Sequence, residues 1–169
     1  MNVCQKYGID PATVNAIGEF CILWNHFEQL VFEKDASVEK IRDFSQIVPQ
    51  EPVLRNYVNC VRREIRKLLA EANQESVRNR FFTRKANERQ DQQVDIIIGF
   101  LNEADGDELF GCLLCVYRIR NNMFHGNKDV YKLDMQKNMF EKVNELLMYI
   151  LSDRTILRNI VEWQWIYDV

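Results

Sequence analysis

Apolar residues recur three and four positions apart along most of this chain, the spacing that gathers them on one face of an α-helix. Val14, Ile17, Cys21, Trp24, Leu30 and Val31 predict a long first helix over residues 11–33, opened by Asp10 as N-cap and Pro11 in the first turn. A short second helix carries Val38, Ile41 and Phe44 after a cap at Asp35 or Ser37, and ends before Pro49. From Glu51-Pro52 a stronger pattern runs through Leu54, Tyr57, Val58, Val61, Ile65, Leu68 and Leu69, with Arg55, Arg62, Arg63, Arg66 and Lys67 on the opposite face.

A polar stretch over about 72–92 interrupts the pattern. Val94, Ile97, Ile98 and Leu101 then mark a helix that stops at the turn cluster Asn102-Glu103-Ala104-Asp105-Gly106. Asp107 caps the next segment, in which Leu109, Phe110, Leu113, Leu114, Val116 and Tyr117 are apolar on most sides, as in a helix buried within a bundle or beneath a second subunit. It should end between Met123 and Gly126. Leu133, Phe140, Val143, Leu147 and Ile150 give a further helix from 129 or 134 to 152, capped by Asp129 or Asp134. A short helical piece over 153–161 and an aromatic tail, Trp163-Gln164-Trp165-Ile166-Tyr167, complete the chain. No period-2 alternation competes, so the expected fold is all-α: one compact bundle of four to six helices spanning 1–169.

Composition narrows the class. At 169 residues and 47% hydrophobic, the chain has ample material for one core. Neither a linker, a repeat nor an apolar run of membrane-spanning length interrupts it, so the expectation is a soluble, cytoplasmic protein. Five cysteines, an odd number, read as reduced thiols, and the Cys112-Cys115 pair lies in a run too apolar, and too far from any other Cys or His pair, to build a zinc site. No metal and no cofactor are expected. A net charge of −3 argues against a broadly basic surface that coats nucleic acid. One local excess stands out, however: Arg78, Arg80, Arg84, Lys85 and Arg89 against Glu88 alone, with Phe81 and Phe82 interleaved. The preferred reading is a solvated, mobile connection between two helices. The other is a strip that holds an RNA backbone through Arg78, Arg80, Arg84 and Lys85.

Candidate chemistry concentrates in Arg118-Ile119-Arg120-Asn121-Asn122-Met123-Phe124-His125-Gly126. Guanidinium is the planar donor suited to phosphate, and imidazole moves protons near neutral pH. Arg120 and His125 are five positions apart, off a common face of a regular helix, but Gly126 suits the left-handed residue that unwinds a helix end and brings the two round. The bland alternative makes Arg120 an ordinary cation at a helix C-terminus, His125 a capping residue, and the two asparagines polar residues of a fraying end. Arg118 points to another face and receives no role. His26, on the first helix, approaches the motif only if that helix packs beside it, and otherwise faces solvent or the core.

The run Arg120-Asn121-Asn122-Met123-Phe124-His125 resembles the R-x4-H signature, often R-N-x-x-x-H, of the HEPN superfamily (higher eukaryotes and prokaryotes nucleotide-binding), whose members are compact helical bundles. That resemblance implies a metal-independent endoribonuclease, often a toxin or antiviral-defence effector, acting as a homodimer in which two motifs face each other. A partner such as an antitoxin or another regulatory protein goes with it. Under this reading His125 is general base or acid, Arg120 holds the scissile phosphate, and Asn121 orients either. Two readings compete. One is a non-catalytic HEPN-like module that binds RNA or nucleotide or another protein; the other is a helical adaptor that uses its aromatic tail.

Overall fold

A computed structural model describes residues 2–82, 88–104, 106–124 and 132–167. The fold is all-α: among the described residues six helices of 14 residues or more form the bundle and three shorter ones brace it. No strand occurs among the described residues.

The chain opens with α1 (Val3–Tyr7), a single turn whose Asn2 and Gln5 cap each other's backbone N–H and which ends on left-handed Gly8. Helix α2 (Pro11–Phe32) begins as expected, with the Asp10 carboxylate accepting from the Ala12 N–H. Ser37 rather than Asp35 caps α3 (Val38–Ile47), its hydroxyl accepting from the Lys40 N–H. Helix α4 (Pro52–Lys67) carries the strong amphipathic pattern. One of its basic residues departs from the polar face, because Arg62 is 5% exposed. It donates to Glu108 at 2.7 Å and to Asn59 at 2.6 Å, and its guanidinium lies 4.7 Å from the Phe100 ring centre.

Most of the described part of the polar stretch folds into two helices, on either side of residues 83–87. Asn73 caps α5 (Gln74–Phe81), which buries Val77 and Phe81, and Phe82 is buried just beyond it. Helix α6 (Glu88–Leu101) begins six residues before Val94, the first apolar residue of its pattern. Residues 83–87, including Arg84 and Lys85, lie outside the described residues.

Helix α7 (Glu108–Phe124) is the central one, with every residue from Leu109 to Val116 buried. Asp107 caps it, accepting from the Phe110 N–H at 2.9 Å and from the Ser45 hydroxyl at 2.5 Å. Gly111 lets α6 and α7 touch closely: a Cβ there would lie 2.5 Å from that of Phe100. Cys112 and Cys115 are fully buried in this helix.

Helix α8 (Lys137–Ser152) follows a 3-10 turn at Asp134–Gln136. Asp134 does not cap it. Its carboxylate accepts instead from the Asp10 N–H at 3.1 Å, tying the turn to the start of α2. Asp129 lies outside the described residues. The tail is no separate piece: Asp153 caps α9 (Arg154–Tyr167), which runs on through the aromatic residues, with Trp163 half-buried and Trp165 75% exposed.

Helix α8 packs between α2 and α4, while α3, α4, α5 and α6 surround α7. Phe20, Phe27, Phe32, Phe44, Phe81 and Phe140 are among the largest fully buried side chains. Rings of Phe27, Phe32 and Phe44 meet edge to face at 5.3–6.1 Å. Burying each such ring is worth about 1.5–3 kcal/mol, enough to fix α2 and α3 against one another.

Candidate functional site

The last turns of α7 carry the motif, and α2 supplies its support. Trp24 and Glu28 are four apart on α2 and share the face turned toward α7. The Trp24 indole N–H donates to Glu28 Oε2 at 3.1 Å. Arg120 Nη2 donates to the same oxygen at 3.2 Å, while its Nη1 donates to Asn121 Oδ1 at 3.1 Å. Glu28 and Asn121 therefore fix the plane of the guanidinium from two directions. The Glu28 side chain is 12% exposed and that of Arg120 34%. This is a half-buried ion pair, in which a charge-assisted hydrogen bond is stronger than at an open surface. Tyr117, one turn before Arg120, lies with its ring 6.3 Å from that of Trp24, so apolar packing holds the two helices at this level.

The opposite face of the same turns looks toward α5 and α6. Asn122 Nδ2 donates to the Arg80 carbonyl at 3.1 Å. That oxygen is among the last of α5, where a helix leaves carbonyls without partners of its own. Arg118 donates from Nε to Gln93 Oε1 at 3.0 Å, and its Nη2 also reaches this oxygen. Its guanidinium lies 4.6 Å from the Phe82 ring centre. Burial lowers the pKa of Arg118, with Tyr117 opposing. Arg118 thus fastens α7 to α6.

His125, the other half of the motif, lies outside the described residues, and so do Gly126, Arg84 and Lys85. Of the remaining residues in the basic strip, Arg78 pairs with Asp91 at 2.7 Å, so its charge is met within the fold. Arg80 is half-buried in the last turn of α5. His26 is exposed on α2. That helix does pack beside the motif, but His26 follows Trp24 and precedes Glu28 by two positions each, which turns it to the other side.

Glu28 is the residue that the sequence reading passed over. The signal was present, since a carboxylate one turn after Trp24 interrupts the stripe of Phe20, Trp24, Phe27 and Val31, and a buried acid requires a donor. Among the described residues no group of three or more His, Cys, Asp or Glu is arranged to hold a metal ion, and no helix is long and apolar enough to cross a membrane. No family model, no curated protein and no solved structure matches the chain, so its reading rests on these residues.

Proposed function

We propose that the chain is a metal-independent endoribonuclease of HEPN type, working as a homodimer through Arg120, Asn121 and His125. The observation that supports this most is the setting of Arg120, whose guanidinium is oriented by Glu28 and Asn121 while its side chain as a whole is 34% exposed in the last turns of α7. An arginine held in this way is preorganised to receive a phosphate and to offset charge as the phosphorane forms. His125 takes the proton from the ribose 2′-hydroxyl, whose oxygen attacks phosphorus and expels the 5′-oxygen; a second imidazole returns a proton to that leaving oxygen. With one motif histidine per chain, a second copy supplies the second imidazole. A toxin or antiviral-defence role, restrained by a protein partner, belongs to the same proposal.

The non-catalytic reading, an RNA- or nucleotide-binding module, has one observation in its favour. Glu28 already offsets the charge of Arg120 at 3.2 Å. The two readings separate on incubation of the purified protein with RNA in the presence of a chelator. Cleavage that falls about 10²–10⁴-fold in His125→Ala, and comparably in Arg120→Ala, supports the nuclease. Undiminished cleavage in both variants excludes this site, and RNA binding without cleavage favours the module.

A further inference from the structure

Four arginines lie in the C-terminal turns of α5 and α7, and three of them have side-chain partners among the described residues. Arg78 has Asp91, Arg118 has Gln93 and the Phe82 ring, and Arg120 has Glu28 and Asn121. Arg80 differs. It is half-buried, yet among the described residues neither a carboxylate nor any hydrogen-bond acceptor meets its guanidinium. Burial lowers its pKa. Its backbone is also fixed against the motif by the Asn122 side chain at 3.1 Å. A desolvated cation without a partner is costly, and charges removed from water are ordinarily matched. Among the described residues Arg80 is therefore a half-buried positive charge without a counter-charge, joined through its backbone to the helix that carries the candidate site.

We propose that Arg80 is a phosphate-binding residue, contacting the backbone of a single RNA strand one or more nucleotides away from the phosphate held at Arg120. This rests on the nuclease reading only for the identity of the strand. Asn122 and Arg120 are two positions apart on α7 and face different flanks, and a helix with its side chains is about 10–12 Å across. The proposal requires a strand that passes the last turns of α7 from the Glu28 flank to the α5 flank, where the Arg80 backbone is anchored at Asn122. Arg78, two positions earlier on the same helix, turns to another side and is held toward α6 by Asp91, away from the Asn122 contact that ties Arg80 to α7.

The test measures binding of a short fluorescent single-stranded RNA by full-length protein carrying His125→Ala, so that the probe survives. Affinity is followed between about 50 and 200 mM salt. Arg80→Ala should weaken binding and reduce the slope of log affinity against log salt by about 0.7, the value of one phosphate contact on a single strand. Arg80→Lys should keep the slope, and Arg78→Ala should leave it unchanged. A purely structural Arg80 would alter thermal stability but not the salt slope; its carbonyl, which anchors Asn122, survives either substitution. An unchanged slope in Arg80→Ala overturns the proposal, as does an RNA that fails to bind the parent protein. Should the Arg80 contact appear while wild-type protein cleaves nothing, the nuclease reading fails and this one stands.

Discussion

Glu28 controls more of the motif than its position on another helix suggests. One of its oxygens accepts from both Trp24 and Arg120, so changing the carboxylate acts on the guanidinium without touching substrate. Glu28→Gln keeps an acceptor but removes the charge. It should lower the RNA cleavage rate about tenfold, the equivalent of about 1.4 kcal/mol from a weakened charge-assisted hydrogen bond. Steady-state rates on a defined RNA would check this, and cleavage equal to wild type would show that Arg120 needs no such support. The thiols give a second prediction at this scale. Burial pushes Cys112 up to about 12, with Arg62 opposing and Glu108 adding, and Cys115 is raised well above the ordinary range. A pKa raised by folding contributes stability below the ordinary thiol value of about 8.5, lost as pH climbs from there toward about 12. At about pH 8 iodoacetamide should therefore modify Cys4, Cys21 and Cys60 well before Cys112 and Cys115, as read by mass spectrometry. Equal labelling of all five in native protein would contradict the buried placement.

Where an apolar stripe was long, the spacing of residues located the helix. Helices α2, α4 and α7 appear within about two residues of their expected limits, since caps at Asp10 and Asp107 and prolines at 11 and 52 mark their starts. Elements with few apolar residues were not legible. Helix α5 buries only Val77 and Phe81 among eight residues, and the first turns of α6 are Glu-Arg-Gln-Asp-Gln-Gln, so neither announces itself by period. Tertiary contacts hold them, including the ion pair from Arg78 to Asp91. Arg62 and Asp134 were misplaced for a related reason: their partners, Glu108 and Asp10, are distant in sequence. At the junction of α6 and α7, Gly111→Ala should destabilise the protein despite the roughly 1 kcal/mol that alanine contributes in a helix interior. The added methyl meets Phe100 at 2.5 Å, and overpacking of this kind costs about 1–3 kcal/mol. Thermal unfolding would register the loss; a raised melting temperature would mean that α6 yields easily.

The whole molecule brings Glu28 of α2 against Arg120 of α7, residues 92 positions apart, around a shared aromatic core. The motif itself was plain in the sequence, because Arg120, Asn121 and His125 are nearly contiguous, whereas the carboxylate that orients it becomes visible only once two helices pack. On the proposed mechanism a chain carrying one motif histidine needs a second copy to serve as both acid and base, so the active species should have twice the 20.2 kDa mass of the chain. The chemistry of the cleaved ends tests this account most directly. RNA incubated with the protein and excess chelator should yield 2′,3′-cyclic phosphate and 5′-hydroxyl termini by mass spectrometry, and neither should form with Arg120→Ala or His125→Ala. Termini bearing a 5′-phosphate and a 3′-hydroxyl, or cyclic ends that persist in both variants, would contradict it.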